Sequence, residues 1–166
     1  MKEKKFDKAM LIWVIGMMVL AADLFYVFVH LSKLNVISYL LSIGIFPAVV
    51  LLATSFLFSI FSAKTKKNKY FFAVAVAFVF AVLTLIFCSL VLNDAVIAQM
   101  ISNSMFSEDV EVSVRLGNTG DTVQSFLLYI AFAGIGCFFG NVLRTKHNHK
   151  TGIASAEAIQ LENEYD

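Results

Sequence analysis

Asp23 is the one ionisable residue set well inside an apolar run, three residues beyond the midpoint of the stretch from Ala9 to Leu31. A charged carboxylate at the centre of a membrane helix costs about 2.5–3.5 kcal/mol, so its presence there needs a physical reason. Gly16, Asp23 and His30 recur every seven residues, with Tyr26 nearby. On a helix that spacing puts them on one face, and a polar stripe of this kind is expected to point into a helix bundle. Two kinds of chemistry fit. One is a proton or cation relay with His30 at its mouth and Asp23 deeper. The other is a protonated or hydrogen-bonded carboxyl that fixes helix register. Relays usually use a second deep charge, and none is visible on another span, which favours the structural reading.

The remaining chemistry-bearing residues form no catalytic set. His147 and His149 flank Asn148 among cations, with no cysteine or carboxylate beside them, a poor metal site. Cys88 and Cys137 both lie in apolar runs, at depths that differ by roughly 15 Å at 1.5 Å per residue. A disulfide needs Cα atoms within about 7 Å, so both are expected to be buried free thiols. There is no Ser/His/Asp or Cys/His pairing, no HExxH, no phosphate-binding glycine loop and no CxxC. These absences predict a protein that is not an enzyme and has no cofactor or metal. The basic segments are explained by membrane topology and anionic lipid, so no nucleic-acid partner is expected.

The elements that must position Asp23 are long apolar stretches: Ala9 to Leu31, Ile37 to Phe61, Tyr70 to Leu92 and Val123 to Leu143. Each can cross a hydrocarbon core of about 30 Å as a helix. The chain is 59% hydrophobic and only 15% charged, against about 25% charged in a soluble domain, so too little chain remains for a separate soluble domain. The segments Lys2–Lys8, Lys64–Lys69 and Arg144–Lys150 hold all but Lys33 and Arg115 of the 13 lysines and arginines. Four crossings place those segments on one side. The positive-inside rule then predicts a multi-pass cell-membrane protein with both termini cytoplasmic, including the tail 144–166. A basic start and the small-residue site Val19-Leu20-Ala21 resemble a signal peptide. The apolar stretch continues through Leu24-Phe25-Tyr26-Val27-Phe28-Val29, longer than a signal core, and predicts a retained helix.

The expected fold is an all-α antiparallel bundle of four transmembrane helices in a single integral membrane domain. The turn 32–36 and the loop 64–69 make the first three helices consecutive hairpins. Ser42, Thr54, Ser55 and Ser59 on the second helix read as helix glue rather than a substrate path, and Pro47 after Gly44 predicts a kink near residues 43–47. Ala73, Ala77 and Ala81, followed by Thr84 and Cys88, make a small-residue face on the third helix. Gly136 and Gly140, preceded by Gly134, make another on the fourth. Such faces let helices approach closely, either within the chain's own bundle or as a seam between copies or with a partner's helix. The 17 phenylalanines are expected against lipid and in gaps beside these small residues.

A loop of 30 residues, 93–122, separates the third and fourth runs, long enough to carry structure or function of its own. From Asp94 to Phe106 its apolar residues have helical spacing, which predicts an extension of the third helix or a helix on the outer membrane surface. From Asp109 to Leu116 the period changes to two, with Val110, Val112 and Val114 alternating with Glu111, Ser113 and Arg115, before the turn Gly117-Asn118-Thr119-Gly120. A lone strand exposes unpaired backbone groups. It is either a local irregular loop or an edge that another polypeptide completes by strand addition. The tail after Lys150 is acidic, and Ser155 is placed to cap a short, marginal helix.

Two functions are carried forward. The first is a non-enzymatic membrane interaction protein, such as an accessory subunit of a transport or secretion complex or an immunity or resistance protein. Its partners are the bilayer and a second protein or copy, reached through the acidic outer loop and the fourth helix, and residues 110–115 are its contact candidates. The second is a small oligomeric transporter or channel coupled by Asp23. The lysine- and phenylalanine-rich, proline-poor composition resembles small membrane proteins of low-GC bacteria and implies no family.

Overall fold

The computed structural model describes residues 8–62, 66–104 and 126–147. Helix α1 runs Lys8–His30 and ends in a 3-10 turn, Leu31–Lys33. Helix α2 runs Val36–Phe61, α3 Lys66–Val91, α4 Asp94–Ser102 and α5 Phe126–His147. All but α4 are long and apolar enough to cross a membrane, with 22 to 26 residues in each candidate span. Only 22–33% of the residues in their most apolar stretches are buried within the chain. The remaining surface is apolar and exposed, an arrangement that water disfavours and a bilayer accommodates.

Chain order and contacts make α2 the central helix. Asn35 starts it, its side-chain oxygen accepting the Ser38 amide at 2.7 Å. Gly16 of α1 lies against Thr54, and α1 runs antiparallel to α2. The α3 residues Lys69 and Cys88 meet Ser59 and Tyr39, at opposite ends of α2, so α3 is antiparallel as well. Helix α5 pairs Tyr129 with Ile43, Gly136 with Leu52 and Ser55, and Gly140 with Phe56 and Ser59. It therefore lies parallel to α2. That is the relation an up-down chain of four crossings imposes on its second and fourth members.

The small residues are what bring these helices together. A Cβ on Gly136 would sit inside the Leu52 carbonyl and the Ser55 hydroxyl, and one on Gly140 would crowd the Phe56 carbonyl. The small-residue face of the fourth span is thus occupied by α2 of the same chain, as close-packed membrane helices require. Gly134, in contrast, has nothing within 4 Å of such a Cβ. Ala73, Ala77 and Ala81 are buried in the same core as Leu51, Phe58, Phe80, Ala133 and Cys137. Trp13 closes that core, with ring centroids 6.0 Å from Phe58 and 5.9 Å from Phe72 in edge geometry.

A π turn over Leu41–Ile45 interrupts α2, and the Phe46 amide reaches back five residues to the Leu41 carbonyl. The cause is Pro47. It has no amide to offer the Ile43 carbonyl, and its ring crowds that position. One wide turn shifts the register ahead of the proline, so the irregularity begins slightly earlier than the proline's position alone indicates. The Ile43 carbonyl is recovered across the bundle, where the buried Tyr129 hydroxyl donates to it.

The segment after α3 does not prolong that helix. Asn93 breaks it and caps α4, its side chain accepting the Val96 amide at 2.9 Å. Helix α4 folds onto the α1–α2 turn. Met100 is fully buried in a second core with Val27, Leu34, Val36, Tyr39 and Ile43. Asn103 Nδ2 donates to the Ser32 and Leu34 carbonyls, both at 3.0 Å. Ser104 Oγ accepts the Val36 amide at 2.9 Å and donates to the Met100 carbonyl at 2.6 Å. The bundle thus has a capped end and, opposite it, a basic end.

The alternating segment with Val110, Glu111, Val112, Ser113, Val114 and Arg115 lies outside the described residues. So do the rest of the loop 105–125, His149 and the acidic tail with Ser155.

Candidate functional site

Asp23 is half-buried on α1, beside the π turn of α2. Its Oδ2 is enclosed and has no hydrogen-bond partner among the described residues. The carboxyl lines a lateral groove of about 370 Å³ with Leu41, Ser42, Ile45, Phe46 and Val49. Of these, Leu41, Ile45, Phe46 and Val49 present exposed apolar side chains. The groove opens on the side of the bundle, not along its axis.

The expected polar stripe therefore divides. Gly16 sits in the α1–α2 seam against Thr54, Asp23 lies at the seam's edge, and His30 is half-exposed at the capped end. An α-helix turns through 3.6 residues, so a strict seven-residue spacing drifts about 20° per heptad relative to a straight neighbour. Two heptads carry His30 off the seam. Its ring stacks on Tyr26 at 4.4 Å between centroids, and Nδ1 donates to the Tyr26 carbonyl at 3.1 Å. Among the described residues, no hydrogen-bond chain joins His30 to Asp23, and no donor from the bundle interior meets the carboxyl. Of the two expectations for Asp23, a protonated carboxyl or one held by a hydrogen-bond donor, no donor for the second is present among the described residues.

The hydroxyls of α2 are used within the fold. Thr54 Oγ1 donates to the Val50 carbonyl at 2.8 Å, Ser55 Oγ to the Leu52 carbonyl at 3.0 Å, and Ser59 Oγ to the Cys137 carbonyl on α5 at 3.0 Å. They satisfy backbone acceptors and bridge helices, as expected of hydroxyls in lipid. Ser42 alone of that set faces the groove.

At the basic end, Lys69 is only 2% exposed. Its Nζ donates to the Ser59 carbonyl and, at 3.4 Å, to Asn141 Oδ1, while Arg144 donates to the Ser62 carbonyl. The two carbonyls belong to the C-terminal end of α2, where carbonyls lack helical partners and the dipole is negative. Two cations from neighbouring helices thus finish α2 in place of a carboxylate counter-ion. In the sequence Lys69 groups with the inner loop because the apolar run begins at Tyr70, yet it shares the spacing of Ala73, Ala77 and Ala81. That periodicity was the available signal of its burial. No motif marks Asn141 or Tyr129, although the carbonyl four residues before Pro47 needs a donor such as Tyr129.

The cysteines are free and sit toward opposite ends. Cys88 Sγ is 3.2 Å from the Tyr39 hydroxyl, and Cys137 Sγ is 3.6 Å from Asn141 Nδ2. Among the described residues no three His, Cys, Asp or Glu side chains converge where a metal ion could be held.

These features define a helical membrane protein with four candidate spans, a membrane-depth carboxyl on a side groove, and one end closed by a short helix. No protein-family model, curated protein or solved structure matches the chain, so the class rests on its own geometry.

Proposed function

We propose that the chain is a non-enzymatic interaction protein of the cell membrane, with both termini in the cytoplasm and its acidic outer loop contacting a protein partner. An accessory subunit of a transport or secretion complex, or an immunity or resistance protein, are the roles that fit. The observation that carries this reading is the clamp made by Asn103 and Ser104 on the α1–α2 turn. It fixes residues 103–104, to which the acidic segment is joined, and a segment with one end held loses less freedom on binding than a free one. That segment and its flanks carry Asp94, Glu108, Asp109, Glu111 and Asp121 against Arg115 alone, a charge pattern that attracts basic partners. The crowding of cations at the other end supports the orientation.

Deleting Glu108–Gly117 from the full chain is expected to abolish co-purification of the partner in mild detergent while leaving membrane insertion unchanged. Undiminished co-purification would refute the loop's role. A second reading, an oligomeric transporter or channel coupled by Asp23, draws support from the unpaired Oδ2. Because the groove opens sideways, a path along it needs more than one copy. Cation or proton flux through reconstituted chain that is unaltered by Asp23→Asn would eliminate this reading.

A further inference from the structure

We infer that the Asp23 groove seats a transmembrane helix of a partner protein, one that carries a lysine or arginine near the middle of its span. The inference rests on the interaction reading above and gives the partner's membrane-embedded part a chemistry. Three observations converge on it. Asp23 lines the groove and accepts no hydrogen bond from the described residues, its buried Oδ2 included, and an unpaired carboxylate in hydrocarbon is costly enough to recruit a donor to its groove-facing side. The groove beside it is walled by Leu41, Ile45, Phe46 and Val49, which offer an apolar helix the surface it packs on. The π turn Leu41–Ile45 lies at this level of α2 and supplies three of the residues that line the groove, Leu41, Ser42 and Ile45.

Depth selects the occupant. The candidate span ends at Lys33, ten residues beyond Asp23, which is about 15 Å along the axis and near the middle of the hydrocarbon core. A lipid headgroup stays at the interface and does not reach that level. A second copy meeting this one groove to groove across a two-fold axis brings carboxylate to carboxylate, where like charges oppose ionisation, and its apolar runs carry no lysine or arginine at mid-span to offer instead. A cationic side chain on another span pairs with the groove-facing carboxyl and neutralises its own burial at the same time.

The test uses the full chain, donor-labelled and reconstituted in phosphatidylcholine vesicles. The probes are acceptor-labelled Leu/Ala transmembrane peptides of about 20–24 residues. One carries a single central lysine, one has leucine there, and one has the lysine two turns nearer its end. Energy transfer is expected to show the central-lysine peptide binding about tenfold more tightly than the leucine peptide, equivalent to 1.4 kcal/mol. The displaced lysine should lose most of that gain. Asp23→Leu should abolish the preference, and Asp23→Asn should keep a small part because the amide oxygen still accepts a hydrogen bond.

Equal binding of the lysine and leucine peptides overturns the proposal, as does a preference that survives Asp23→Leu. Asp23-dependent transfer between two labelled copies without peptide assigns the groove to self-association and also overturns it. The two readings fail separately. Loss of peptide preference with loop-dependent co-purification intact removes the groove's role and leaves the interaction reading standing. A preserved preference with a loop deletion that changes nothing does the opposite.

Discussion

Individual polar residues in this chain are explained by the backbone groups they complete. Lys69 resembles a topological signal in the sequence, but its ammonium group and the Arg144 guanidinium cap the C-terminus of α2. Lys69→Met keeps the length and removes the donors, leaving the buried Ser59 carbonyl without a partner among the described residues. A buried acceptor stripped of its partner costs about 1–3 kcal/mol. Relief of the ammonium's own desolvation offsets part of this, so we expect a net loss of about 1–2 kcal/mol in denaturant unfolding from detergent micelles. An unchanged unfolding midpoint would show that the lysine is not holding the helix end. The case of Tyr129 is similar. Tyr129→Phe is expected to lose about 0.5–1.5 kcal/mol, and to lose less in a Pro47→Ala background, where the restored amide supplies the Ile43 carbonyl. A double-mutant cycle with no coupling would contradict the link between proline and tyrosine. Asp23 and Trp13 depart from this pattern, since among the described residues the buried Asp23 Oδ2 and Trp13 Nε1 have no hydrogen-bond partner.

At the level of helices, close approach is decided by which glycines face a neighbour. Gly134, Gly136 and Gly140 are alike in sequence, yet a Cβ meets α2 at the last two and open space at the first. Gly136→Ala must push α5 away from the Leu52 carbonyl, and overpacking of this kind costs about 1–3 kcal/mol. Gly134→Ala meets no obstacle and gains up to about 1 kcal/mol from the lower entropy of alanine in a helix. Thermal unfolding of the two variants in the same detergent should therefore shift in opposite directions. A common shift would mean that helix propensity, not the α2–α5 contact, sets the effect. Helix α4 illustrates a related point. Its one-sided apolar pattern was legible, and so was its existence as a helix. Its destination was not, because an apolar stripe specifies that something must cover it without saying whether lipid or the chain's own end will do so.

For the whole molecule, the charge distribution makes a claim about sidedness. In a background with Cys88 and Cys137 changed to alanine, Lys67→Cys is expected to resist a membrane-impermeant maleimide in intact cells and to react after permeabilisation. Labelling from outside would invert the proposed orientation, and with it the placement of the acidic loop. The four candidate spans and the helical class could be read directly from the sequence, because crossing a bilayer needs a contiguous apolar length that is counted along one chain. The separation of the cysteines followed from the same counting. What only the tertiary structure decided is how each helix is rotated against its neighbours. That rotation spends the Gly136–Gly140 face within the chain, buries Lys69, and turns Asp23 toward a side groove. Residue spacing leaves it open because helical and heptad periods differ by some 20° every two turns, and a single π turn shifts the register again.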